Sequence, residues 1–137
     1  MTRRARTDER GAAVVDFVLV LLVLLPLVLG ILQLALVLHV RNTLASAASE
    51  GARHAAVAGS SAYAGQVKTQ ELIDGALSSD FDRTVVVRPA LVGGAPGYEA
   101  VVEADVDLFG LDLFDLDLPG VRVRVAGHAV AEVGATP

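Results

Sequence analysis

From Phe17 to Leu38 the chain runs through 22 residues without a formal charge, broken only by Pro26, Gly30 and Gln33. At a rise of about 1.5 Å per residue this predicts a helix roughly 33 Å long. A bilayer core is about 30 Å thick, so the run is long enough to span one. Leucine and valine occupy every side of it, as expected of a surface that faces lipid. Pro26 removes a backbone donor and predicts a bend, with the strain near Leu22. Membrane helices tolerate such a residue better than soluble ones. The helical pattern continues past the apolar run. Val40, Leu44, Ala47, Ala48, Gly51, Ala55 and Ala58 recur at helical spacing, with Arg41, Glu50, Arg53 and His54 on the other surfaces. Glu50 lies three residues before Arg53 and four before His54, offsets that meet on a helix. Gly59, Ser60 and Ser61 predict the stop. One helix of about 70 Å is therefore expected over Ala12 to Ala58. The second half of this helix has a packing face of alanine, glycine and serine. Small residues let another backbone approach closely. Two partners fit that face, the protein's own sheet or a helix of a neighbouring subunit.

Beyond the long helix, Gln66 to Leu77 predicts a second, short helix with Val67, Ile73, Ala76 and Leu77 as inward candidates. The pattern then changes to strands. Thr84 to Arg88 is rich in β-branched residues, and Pro89 either ends that strand or places it at an edge. Gly93-Gly94-Ala95-Pro96-Gly97 signals a turn. Tyr98 to Leu108 alternates: Ala100, Val102, Ala104, Val106 and Leu108 point one way, and Glu99, Glu103, Asp105 and Asp107 the other. Val121 to Val125 alternates again, with Arg122 and Arg124 outward, and continues toward Val133. Three strands are the minimum for an independently stable sheet. The expected fold class is α+β: a long N-terminal transmembrane helix leading into an exported domain with a small antiparallel sheet packed on a helix. The expected divisions are a basic leader over 1–11, the long helix over 12–58 with its span at 17–38, and the exported domain over 59–137.

Charge gives this layout a direction. Residues 1–10 carry a net +2, whereas residues 39–137 carry seven basic and thirteen acidic side chains, a net −6. Arginine ahead of a span favours a cytoplasmic N-terminus, which leaves the acidic remainder outside. An acidic surface argues against nonspecific binding of nucleic acid. The chain has no cysteine, so disulfides, thiolate metal sites and cysteine nucleophiles are excluded. A cleaved signal peptide is the competing account of the N-terminus, with a small-residue site at Ala45-Ser46-Ala47. Its apolar region is usually only about 7–15 residues long, and here His39 and Arg41 follow the run into more helix.

Few residues invite chemistry. The acid-rich stretch Glu103 to Asp117 suggests calcium, since carboxylates suit that ion, but the spacing of an EF-hand is absent. A solvated strand face with Arg122 and Arg124 pairing across to the acids explains the same pattern. Gly110 to Asp117 carries many apolar residues for a loop, and suits an extra strand, an edge cover or a partner contact. His39, His54 and His128 lack zinc-motif spacing. No nucleophile elbow or phosphate-binding loop is present, and Lys68 is the only lysine. The expectation is a protein that is not an enzyme and takes no cofactor, metal or small-molecule substrate.

The exception is Arg10-Gly11-Ala12-Ala13-Val14-Val15-Asp16-Phe17. An acid at the centre of a span costs about 2.5–3.5 kcal/mol on the translocon scale, and less near an edge. Asp16 is therefore either a bystander at the interface, with Phe17 starting the true span, or a residue with a partner. Cleavage after Gly11 would give Ala12 a new ammonium group, with Asp16 at the fifth position able to pair with it on its own chain or a neighbour.

With Glu9-Arg10-Gly11 ahead of the cut, Ala12 to Val15, Asp16, the aromatic Phe17, the apolar run and the alanine-rich continuation from Arg41 to Val57, the chain resembles the TadE-like family. These are minor pseudopilins of the tight-adherence (Tad, or Flp) type IVb pilus. A small β-containing end closing on Ala129-Val130-Ala131-Glu132 fits as well. The resemblance implies cleavage between Gly11 and Ala12 by a prepilin peptidase at the inner face of the membrane. It implies recognition or subunit pairing through Asp16 and Phe17, with Asp16 in place of the usual, longer glutamate. It also implies pilus assembly in adhesion, with other pilins and membrane assembly proteins as partners. The alternative is an unprocessed, single-pass anchor carrying an extracytoplasmic binding domain.

Overall fold

The computed structural model describes residues 5–77, 82–106 and 120–132. The chain divides into two compact units, Met1–Ala35 and Leu36–Pro137. Helix α1, Ala5–Ala56, belongs to both and passes through Pro26. It starts ahead of Ala12 and stops just short of Ala58. Its most apolar 18-residue window has a mean hydropathy of 3.0 and none of it is buried within the protein. Phe17, Leu22, Ile31 and their neighbours are exposed. Such a surface suggests a membrane anchor, since lipid is the solvent in which it is at no disadvantage.

The second unit has a helix layer on a sheet. Within it, α1 buries Val40, Leu44, Ala47, Ala48, Ala52, Ala55 and Ala56. The helix ends where Gly59 adopts a positive φ of 82°. The Ser61 side chain then caps α2, Ala62–Ala76, by accepting from the Ala64 N–H at 3.2 Å. This helix begins earlier than Gln66, and its buried face is Gly65, Thr69 and Ile73. Of the expected inward residues only Ile73 is fully buried; Val67 and Leu77 are half-buried and Ala76 is exposed. The reason is a close crossing. A methyl placed on Gly65 would lie 2.6 Å from the Gly51 carbonyl oxygen and 2.7 Å from the Ala55 Cβ. The Thr69 hydroxyl is buried there and donates back to the Gly65 carbonyl at 2.8 Å, so it carries no unmet polar group into the core.

Strands β1 (Arg83–Val92), β2 (Ala95–Val106) and β3 (Val121–Val130) form an antiparallel sheet in that order. Gly93 and Gly94, at φ 61° and 87°, make the two-residue hairpin between Val92 and Ala95. The turn is thus shorter than its sequence signal, and Ala95 to Gly97 already belong to β2. Pro89 does not end β1, because β1 is an edge strand and needs no donor on its open side. The alternation reads as expected: Val85, Val87, Ala100, Val102, Ala104, Val106, Val123 and Val125 are buried toward the helices. β3 stops at Val130. Asp107, Leu108 and Gly110 to Asp117 lie outside the described residues.

The sheet meets α1 as closely as α2 does. A methyl on Gly127 would lie 2.5 Å from the Ala48 carbonyl carbon and from the Ser49 Cα. After β3, the Ala131 N–H donates to the Pro96 carbonyl and the Glu132 N–H to the Ala56 carbonyl, each at 2.9 Å. The second bond gives a carbonyl at the end of α1 the partner that helix geometry leaves it without. Gly127→Val should therefore destabilise the second unit by about 1–3 kcal/mol or more, because the obstacle is backbone. A methyl on Gly75 meets nothing within 4 Å, so Gly75→Ala should be neutral or stabilising by up to about 1 kcal/mol. Thermal unfolding of the full chain in detergent, read by hydrogen exchange on β2, checks both signs.

Candidate processing site and sheet surface

Gly11, Ala12, Asp16 and Phe17 all lie on α1 and all are exposed. A methyl added at Gly11 would meet nothing within 4 Å among the described residues. Packing does not require glycine there. Ala12 and Asp16 are four residues apart on a helix, which places them one above the other on a single face.

The other polar concentration is the outer face of the sheet. Glu99 on the central strand sits between Arg88 on β1 and His128 on β3. The Arg88 Nε and Nη2 donate to its carboxylate at 2.8 and 2.6 Å, and the His128 Nε2 lies 3.2 Å from the other oxygen. Arg124 pairs with Glu103 at 3.2 Å and Arg122 with Asp105 at 3.0 Å. The cross-strand pairing expected for both arginines is present. Val86, Val101 and Ala126 form an apolar row between the charged ones. The acids proposed for calcium thus divide: Glu103 and Asp105 are engaged by arginines, and the remainder lie outside the described residues. Among the described residues no three His, Asp or Glu side chains converge on a point that could hold a metal. His39 and His54 are exposed on α1.

Sequence reasoning did not anticipate the Glu99–His128 contact. The register Glu99↔His128 would have disclosed it, but only once the hairpin had set the pairing. Nor did it anticipate Arg83, which stands on the inner face, pairs with Asp74 of α2 and keeps its Nη1 buried without a partner among the described residues.

These features define a class: one membrane-length apolar helix carrying a glycine and an acid near its start, leading into a helix-on-sheet unit. Residues 11–53 are TadE-like, matching the family described as TadE-like protein. The match begins on Gly11 and stays within α1, so it covers less than a third of the chain and leaves α2 and the sheet outside it. It suggests a protein associated with the Tad pilus. No curated protein and no solved structure matches the chain.

Hydrogen bonding from Arg88, aided by His128 and opposed by partial burial, holds the Glu99 carboxyl below its ordinary value of 4.5. A carboxyl depressed in the folded state stabilises above the unfolded value, and that contribution is lost as pH falls through the folded value. Stability of the full chain should therefore be insensitive to this group near neutrality and decline as pH drops below 4.5. The gap between the natural protein and Glu99→Gln should narrow over that range. Denaturant midpoints measured across the acid range in detergent test the sign.

Proposed function

We propose that the chain is a processed minor pilin of a Tad-type pilus, a structural subunit made at the membrane and matured by prepilin peptidase. One observation carries the reading: a glycine that packing does not demand, followed at the fifth position by an acid, opens an apolar helix whose match to the TadE-like family begins on that glycine. Residues 1–11 are the basic leader, held on the cytoplasmic side by their arginines. Residues 12–58 are the mature helix, and 59–137 belong to the extracytoplasmic part. Phe17 to Leu38 keeps the subunit in the bilayer before assembly. Cleavage releases an ammonium group on Ala12, and Asp16 pairs with it within the subunit or on a neighbour. An acid at the rim of the bilayer is thereby neutralised by a charge that proteolysis creates. Assembly proteins of the pilus and other pilins are the partners, and adhesion is the process served.

Two experiments test this. Intact mass after coexpression with an active prepilin peptidase should show loss of residues 1–11. Gly11→Ala should slow that loss modestly, and Gly11→Trp should abolish it. A persistent basic head would leave a plain anchored domain with Asp16 as bystander. Separately, Asp16→Asn should insert into the membrane normally but lower the yield of surface pili, and normal piliation in that strain would sink the pairing role.

A further inference from the structure

The hydrophobic core of the second unit begins inside the apolar run. Leu36 and Val37 pack against the core cluster, and Val40 is 1% exposed, while Leu38 between them is 47% exposed. Residues of one short stretch thus belong both to the apolar run and to the packing of the second unit.

Within the second unit, the helices fix which end of α2 lies beside His39. α2 runs antiparallel to α1: Gly65 meets Gly51 and Ala55, whereas Leu72 and Ala76 sit beside residues 39–47. The C-terminal end of α2 therefore comes down to the level of His39. A groove lies there between the helices, lined by His39, Asn42, Thr43 and Ser46 of α1 and by Leu72 and Ala76 of α2. Its lower end starts one residue after the apolar run. The headgroup layer adds about 5–7 Å beyond each side of the hydrocarbon, which is roughly three to five helical residues.

The lining has a chemistry of its own. The unit as a whole is acidic, yet among the described residues no carboxylate lines this groove. The Thr43 hydroxyl is used on the His39 carbonyl at 3.1 Å. That leaves the His39 ring, the Asn42 amide and the Ser46 hydroxyl as donors on one wall, with Leu72 and Ala76 on the other. We infer that this groove seats a phospholipid headgroup of the outer leaflet, the donors taking the phosphate and the apolar wall the glycerol region, so that the domain rests on the bilayer. Its continuity with the apolar run favours lipid over a second copy of the chain. The inference depends on the membrane anchoring proposed above.

The lack of cysteine permits single labels on the full chain in phosphatidylcholine nanodiscs. Fluorophores are placed through Leu27→Cys in the span, Ala76→Cys at the groove and Tyr63→Cys at the far end of α2. A headgroup nitroxide should quench position 76 several-fold more than position 63, and an acyl-chain nitroxide should quench position 27. Adding His39→Asp and Asn42→Asp should reduce quenching at 76 and leave 27 unchanged. Loss of the signal at 27 would overturn anchoring itself. Quenching at 27 with equal, weak quenching at 76 and 63 would overturn only the headgroup seat. Indifference to the acidic pair would do the same. So would shielding of position 76 that grows with the number of chains per disc, which would assign the groove to a second copy.

Discussion

Everything in the second unit depends on how closely three backbones approach one another. α1 meets α2 across Gly51 and Gly65, and meets β3 across Ala48, Ser49 and Gly127. Large side chains at these places would hold the layers apart. The inner sheet residues, mostly valine and alanine, would then fail to reach the helices, since core atoms even slightly separated lose much of their dispersion attraction. The core is thus built from short side chains at close range. Leu44, Ile73 and Val102 are among its largest fully buried members.

That close packing settles which of two partners takes the alanine- and glycine-rich face of α1. Ala47, Ala48, Gly51, Ala52, Ala55 and Ala56 are buried within the protein's own unit. The face is occupied, and other surfaces remain for contact with neighbours. Among the described residues these include the exposed Glu50, Arg53 and His54 of α1 and the charged outer face of the sheet. The ion pairs of that face are solvated, and such pairs contribute little each to stability. Their effect is on register: a slip of one residue would turn Glu99, Glu103 and Asp105 toward the core and Ala100, Val102 and Ala104 toward water.

Period-two alternation was legible because one face is apolar and the other charged, and it located β2 and β3 with their inward residues. The length of the strands was less legible. Nothing local says that Pro89 lies on an open edge or that the chain turns on two glycines rather than five residues, since both depend on which strand becomes central. α2 was hardest. Its buried residues are Gly65, Thr69 and Ile73, and two of those three carry no hydrophobic signal. A helix that buries glycine and threonine can be recognised only when its partner is known, because the gain comes from proximity and not from apolar area. Gly11 is the opposite case: among the described residues no packing contact requires it, and sequence pattern alone singled it out.

The two charged features of the N-terminal half place different demands on a membrane. Four arginines lie before the apolar run and none within it, which costs nothing and is the pattern that favours a cytoplasmic N-terminus. Asp16 sits one residue before the uncharged run, at the edge of the candidate span and not at its centre. An acid at that level can be carried by a monomer in the bilayer, but bringing helices side by side removes the water that screens it. Were the chain to assemble as proposed, the charge would become expensive at that step, which is when an ammonium group on an adjoining Ala12 would be most effective. A leader that stays attached would leave Ala12 as an ordinary amide, so the proposed pairing carries an order with it: removal of residues 1–11 would have to precede side-by-side packing of the helices.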